Sequence, residues 1–295
     1  MKLNSKKALF IEKWNNIVYI KIRNKISRRY LTLIIIFLII ITLFIGSLPS
    51  NIIESFFINS FSNITLKIRG TGNNNVFSSD INFEQSSYPN IIYINDERQD
   101  VIKSIYIFNQ TENYIILIWN STFRFCSYMF YECSNITEMD LSNFDSSEVI
   151  QMDYMFFGCL FLTSLNLSNF DTSKVEVMNG MFSGCSSLTS LDLSNFNTSQ
   201  VTDMPNMFSG CSSLTYLDLS SFNTSQVTDM YGMFEDCSSL SSLNLSNFDT
   251  PKVYDISYFL SGCENLEYIN LKYFTDISFL LLICLMQSQI MLLFV

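Results

Sequence analysis

The chain contains no histidine. That excludes histidine-based catalytic triads, histidine metal ligands and histidine general bases. Proton transfer near neutral pH is left to carboxylates and lysines. The eight cysteines include no CxxC pair, so a structural zinc site is not expected. Other signatures are missing too: a Gly-rich phosphate loop, a GxSxG elbow, a metal-spaced cluster and a basic stripe for nucleic acid. Charged residues make up only 15% of the chain and hydrophobic ones 48%, which argues against both a disordered tail and a polybasic binder. These absences predict a protein that is not an enzyme, takes no cofactor and binds no nucleic acid.

Basic residues are also scarce beyond the N-terminus. Residues 1–30 hold nine of the 17 Lys/Arg and one of the 27 Asp/Glu, Glu12. The two ends therefore face different surroundings. Residues 31–48 read LTLIIIFLIIITLFIGSL, close to the lower length of a membrane span. With positive charge upstream, residues 1–30 are expected as a cytoplasmic stub, 31–48 as a transmembrane helix, and the rest outside, in a single-pass cell-surface or secretory arrangement. A cleaved signal peptide ending near Gly46-Ser47 is the competing reading. Asn-x-Ser/Thr sequons occur at Asn63, Asn109, Asn120, Asn135, Asn166, Asn197, Asn223 and Asn244, and none precedes residue 50. They are candidate N-glycosylation sites, although four of them arise from repeated text.

That repeated text dominates the second half. Cys133, Cys159, Cys185, Cys211, Cys237 and Cys263 recur every 26 residues without insertion. A fixed period of this length marks stacked repeats that bury a shared core. Leucine or isoleucine follows three residues after each cysteine, and Phe144, Phe170, Phe196, Phe222, Phe248 and Phe274 form a further column. "TSLDLSN" alternates, with Leu191 and Leu193 on one face, so one short strand per repeat is predicted. "TSQVTDMPNMFSGC" predicts a short helix, with Asp203 as N-cap, Pro205 in the first turn and Gly210 at the end. Helix capping likewise accounts for Asp229 and Asp255 better than calcium does, because Gln151 and Val177 interrupt that column. The cysteine column is expected to be a ladder of reduced, buried thiols.

The stretch "MFSGCSSLTSLDLSNFNTSQVTDM" resembles the BspA-like leucine-rich-repeat family, in particular the mycoplasma-type surface repeat called DUF285. The resemblance spans about residues 126–275. It implies a leucine-rich-repeat-like solenoid of surface or secreted proteins linked to adhesion and protein binding, and no catalytic residues. One departure is visible: Phe196 stands where the ordinary leucine-rich repeat places its asparagine, and Asn195 comes one earlier. A phenylalanine spine is expected to replace the asparagine ladder. The expected fold class is therefore α/β: a leucine-rich-repeat-like solenoid with one short parallel strand and one short helix per 26-residue repeat, a β-rich N-terminal cap over 50–125, and an N-terminal transmembrane helix. The cap is expected because the first repeat strand would otherwise leave an open edge. Residues 276–295, "ISFLLLICLMQSQIMLLFV" with the preceding Asp276, form an apolar tail with three readings: an end segment packed on the last repeat, a second membrane segment, or truncated or out-of-frame text.

Function is expected on the outward strand positions, whose candidate binding residues are Glu138, Asp140, Asn166, Ser190, Asp192, Tyr216, Asp218, Asn244, Tyr268 and Asn270. The row is polar and mildly acidic, with two tyrosines, a residue type favoured at interfaces. The expected partner is an extracellular protein or glycan, bound by a membrane-anchored surface protein. The alternatives are a structural coat or stalk component without a specific ligand, and a secreted form after signal cleavage. Asn166 and Asn244 lie on the same row, where glycans would block it.

Overall fold

A computed structural model describes residues 61–122, 124–271 and the backbone of 291–293. All lie in the compact unit that begins at Ser62, apart from Phe61 just before it. The N-terminal part is β-rich. Strands β1 (Ser62–Arg69), β2 (Gly72–Asn75), β3 (Ile91–Ile94), β4 (Glu97–Arg98), β5 (Ile105–Phe108) and β6 (Glu112–Trp119) precede the repeats. Strands β7 (Ile136–Asp140), β8 (Ser164–Asn166), β9 (Ser242–Asn244) and β10 (Tyr268–Asn270) come from the repeats, and β11 (Met291–Leu293) from the tail. The largest sheet runs β4-β3-β6-β1-β7-β8. Here β1 lies antiparallel to β7 and satisfies the edge that the first repeat strand would otherwise present. The last repeat strand, β10, pairs in parallel with β11.

Repeat strands meet in parallel at a shift of 26 residues: Met139 opposite Leu165, and Leu243 opposite Ile269. A second line of contact crosses every coil through the parallel bridges Phe125–Gln151–Val177–Asp203–Asp229–Asp255. Each repeat is thus one turn of a parallel stack. The expected strand does not form regularly at every level: the rows at 190–192 and 216–218 lie outside the strand ladder.

The α/β class is corrected by the structure. The described residues contain no α-helix, only a three-residue 3-10 turn at Gln85–Ser87. The segment read as a helix, residues 203–210, is a pair of tight turns. Two residues in it are left-handed, Asn206 at φ 55° and Gly210 at φ 72°. Such residues cannot continue a right-handed helix. The same two columns are left-handed at other levels, as at Tyr154 and Gly158, or Gly180 and Gly184.

The amides that a helix would bond to its own preceding turn instead reach the next coil. Asn206 N–H donates to Tyr231 C=O at 2.7 Å, Phe208 to Met233 at 2.9 Å and Gly210 to Glu235 at 2.7 Å. With Met204 to Asp229 at 3.3 Å these make four lateral bonds per coil, which replace an isolated helix too short to be stable. Pro205 fits for a different reason than a helix start. At its level in the next two coils, Tyr231 and Ser257 donate their N–H only locally, to Asp229 and Asp255 carboxylates at 2.8 Å. A proline there loses no inter-coil bond. Asp229 and Asp255 are therefore turn acceptors, not helix caps, and Asp203 is one bridge in the parallel line. Among the described residues no helix is long and apolar enough to cross a membrane. The class is nearly all-β, and the expected transmembrane helix over 31–48 lies outside the described residues.

The core consists of stacked columns. Phe130, Phe156, Phe182, Phe208 and Phe234 lie nearly parallel, with ring centroids 5.9, 5.6, 5.8 and 5.6 Å apart. A second column runs through Phe144, Phe170, Phe196, Phe222 and Phe248 at 6.1 to 6.5 Å. The described cysteines carry thiols rather than disulfides and are buried. Each repeat thiol from Cys159 onward donates to a phenylalanine carbonyl of the previous coil, as Cys211 does to Phe182 at 3.2 Å. Burial raises their pKa values, that of Cys263 to about 12, so they stay protonated and unreactive in the fold.

Two polar ladders complete the coil. Asn195 donates to Leu167 and Phe170 carbonyls at 2.8 and 2.9 Å, and Asn247 does the same to Leu219 and Phe222. The phenylalanine spine therefore joins an asparagine ladder shifted by one residue; it does not replace it. Deeper in, the Thr198 hydroxyl donates to Asn223 C=O at 2.9 Å and accepts from Asn223 N–H at 2.8 Å. Thr172 treats Asn197 identically. A single hydroxyl thus satisfies both backbone groups of a residue in the next coil.

Candidate binding face

The outward positions of the strand rows come together as one surface, because the 26-residue shift places equivalent residues side by side. Glu138, Asn166, Ser190, Asp192, Tyr216, Asp218 and Asn244 are exposed, while Asp140, Tyr268 and Asn270 are half-buried. Tyr216 is the prominent side chain, 62% exposed among short neighbours.

Much of the row is committed to local structure. Asp140, Asn166, Asp192, Asp218 and Asn244 each accept from the backbone N–H two residues on, at 2.9 to 3.1 Å. These are Asx turns that carry the chain out of each strand row. The Ser194 N–H, and secondarily its hydroxyl, hold the Asp192 carboxyl below its ordinary pKa, and Ser220 does the same for Asp218. Both therefore remain anionic through the physiological range. Asn166 also donates to Asp140 at 2.9 Å across adjacent coils. Glu138 receives Lys67 of β1 at 3.2 Å. Among the described residues Ser190, Tyr216 and Tyr268 have no side-chain partner in the row, and Asn270 Oδ1 is buried without a donor.

The sequons are spread over other surfaces as well. Asn109, Asn120, Asn197 and Asn223 are exposed, with Asn197 and Asn223 accepting from Ser199 and Ser225 N–H in a second line of Asx turns. Asn135 is half-buried and donates to Asn74. Asn63 is buried in β1, so a glycan there would have to be attached before that strand packs. Sequence reasoning missed the threonine ladder and the left-handed columns. The threonine column at 172, 198, 224 and 250 was as regular as the leucines; the backbone handedness was masked by mixed occupancy, since Tyr, Asn and Gly share one position. Among the described residues no group of Cys, Asp and Glu is arranged to hold a metal ion.

The stacked columns and the parallel 26-residue register define the described residues as a nearly all-β stack of repeated coils. Residues 124–217 and 189–275 match the family described as "Mycoplasma protein of unknown function, DUF285", and the chain belongs to that family. No curated protein and no solved structure matches the chain.

Proposed function

We propose that the protein is a cell-surface repeat protein that binds another protein or a glycan through the outward row, and so serves in adhesion. The observation that supports this reading is Tyr216, 62% exposed in the middle of a row of short polar side chains. Tyrosine gives a large, amphipathic contact at low entropic cost, whereas buried columns on the opposite side are needed for stacking. The anionic Asp192 and Asp218 flank it and favour a partner with donors or positive charge. The apolar run at 31–48 would hold the chain at the membrane, with the basic stub cytoplasmic and the repeats outside. No catalytic role is proposed.

The test is adhesion of cells displaying the full chain to a panel of extracellular proteins and glycans, with tags at both termini to read orientation. Tyr216→Ser should reduce adhesion at least about tenfold, the scale of a lost interface anchor. Equal adhesion by the variant, or repeats accessible only after permeabilisation, would sink the reading.

A further inference from the structure

Away from the outward row, a cleft of about 700 Å3 opens where the loop through Phe83 and Glu84 meets the first three coils. Its walls include Tyr128, Asp153, Tyr154 and Asn179. The two tyrosine rings lie 5.2 Å apart at 33°. Both tyrosines occupy the left-handed column, at φ 63° and 53°, where later coils carry Gly180, Asn206 and Gly232. Tyr258, at the far end of the stack, is the other tyrosine in this conformation. A bulky side chain in that region is strained, and strain of this kind collects at functional sites.

The polar groups of the cleft are unevenly satisfied. Asp153 Oδ2 accepts from the Ser127 hydroxyl at 3.2 Å. Its Oδ1 is buried and meets no donor among the described residues, and the same holds for Asn179 Oδ1. Two buried acceptors without donors are costly, and a ligand donor would relieve both. Burial raises the Asp153 pKa, while Ser127 and the Asn179 backbone oppose that rise. Glu84 and Asp153 are the charged groups lining the cleft, both acidic, and no lysine or arginine is among its lining residues.

We propose that this cleft binds an organic cation, the guanidinium or ammonium group of a basic peptide. With the Asp153 and Asn179 side chains turned toward the cleft, its N–H groups would donate to Asp153 Oδ1 and Asn179 Oδ1, and its charge would rest against the tyrosine rings of the cleft wall. Cations over aromatic rings are attracted by the ring quadrupole, more so when partly desolvated. A planar guanidinium also matches paired acceptors better than a point charge does. This assignment is independent of the outward row and stands or falls separately from it.

The experiment is calorimetric titration of the full chain with an acetyl-Gly-Arg-Gly amide probe, its lysine counterpart and its neutral citrulline counterpart. Binding is expected for the arginine probe, more weakly for the lysine probe, with at least a tenfold loss for citrulline. Asp153→Asn should weaken arginine binding at least tenfold. Tyr154→Gly should do so too, and glycine relaxes the left-handed backbone, so this variant is expected to fold at least as well as the parent. Tyr216→Ser should bind unchanged. Equal affinity for arginine and citrulline probes overturns the proposal. So does full affinity in both cleft variants, absence of arginine binding at millimolar concentration, or selective binding of a neutral saccharide in its place.

Discussion

A hydroxyl does more for this stack than its size suggests. Thr198 is fully buried and serves both the N–H and the C=O of Asn223. Thr198→Val keeps the shape and leaves both groups unpaired, which should cost about 1–3 kcal/mol in urea unfolding. Thr198→Ser should recover most of that loss, since Ser146 fills the same column and accepts from Asp171 N–H at 2.7 Å. The Asx carboxylates make a different prediction. The pKa values of Asp192 and Asp218 are lowered in the fold by Ser194 and Ser220. A lowered folded pKa means that the stabilisation is present above the ordinary carboxylate value. It is lost as pH falls below the ordinary carboxylate range and through the lowered folded one. Asn166 and Asn244 build the same turn without a charge. The double variant Asp192→Asn, Asp218→Asn should therefore match the parent Tm at neutral pH and lose less Tm on acidification. An identical acid profile would refute the assignment.

The elements of each coil are set by two left-handed positions rather than by a helix. Glycine occupies the second of them at Gly158, Gly184, Gly210 and Gly262, but Glu132 and Asp236 hold it at φ 55° and 56°. A side chain there costs on the order of 1 kcal/mol relative to glycine. Asp236→Gly should accordingly raise stability by about 1 kcal/mol in chemical denaturation, with no change in fold. The reverse change, Gly210→Ala, should lower it by a similar amount, because its added Cβ would meet Gly184 backbone at an unstrained 3.4 Å and only the φ angle would resist.

At the largest described scale, the repeats hold together as a one-dimensional stack closed at its start by β1. Coils contact their neighbours through aromatic columns, thiols, hydroxyls and lateral amides, so each level depends on the two beside it. Phe182 sits mid-stack, fully buried between Phe156 and Phe208. Phe182→Ala should cost about 3–5 kcal/mol, the range for aromatic truncation in a core. Because it interrupts the column, it should also broaden the thermal transition as the two sides uncouple. A sharp transition with an unchanged midpoint would show that the column is not continuous.

The repeat length, the inward leucines and phenylalanines, the buried cysteines and the outward row were all legible in the sequence. A strict 26-residue period forces equivalent residues into register, and apolar columns then have one place to go. The helix was misread because Asp203, Pro205 and Gly210 suit a helix end and a tight turn equally well. Local propensity sees the residues of one coil; it does not see the carbonyls of Tyr231, Met233 and Glu235 that draw the amides sideways. The cleft was invisible for the same reason. Tyr128, Asp153 and Asn179 are separated along the chain and belong to three coils, and only stacking against the loop of Phe83 and Glu84 makes them neighbours. Sequence by itself determined the period and what each coil buries. Tertiary structure decided which backbone groups bond between coils, and so made the repeats β rather than α/β, because an amide's partner is chosen by what lies beside it in space.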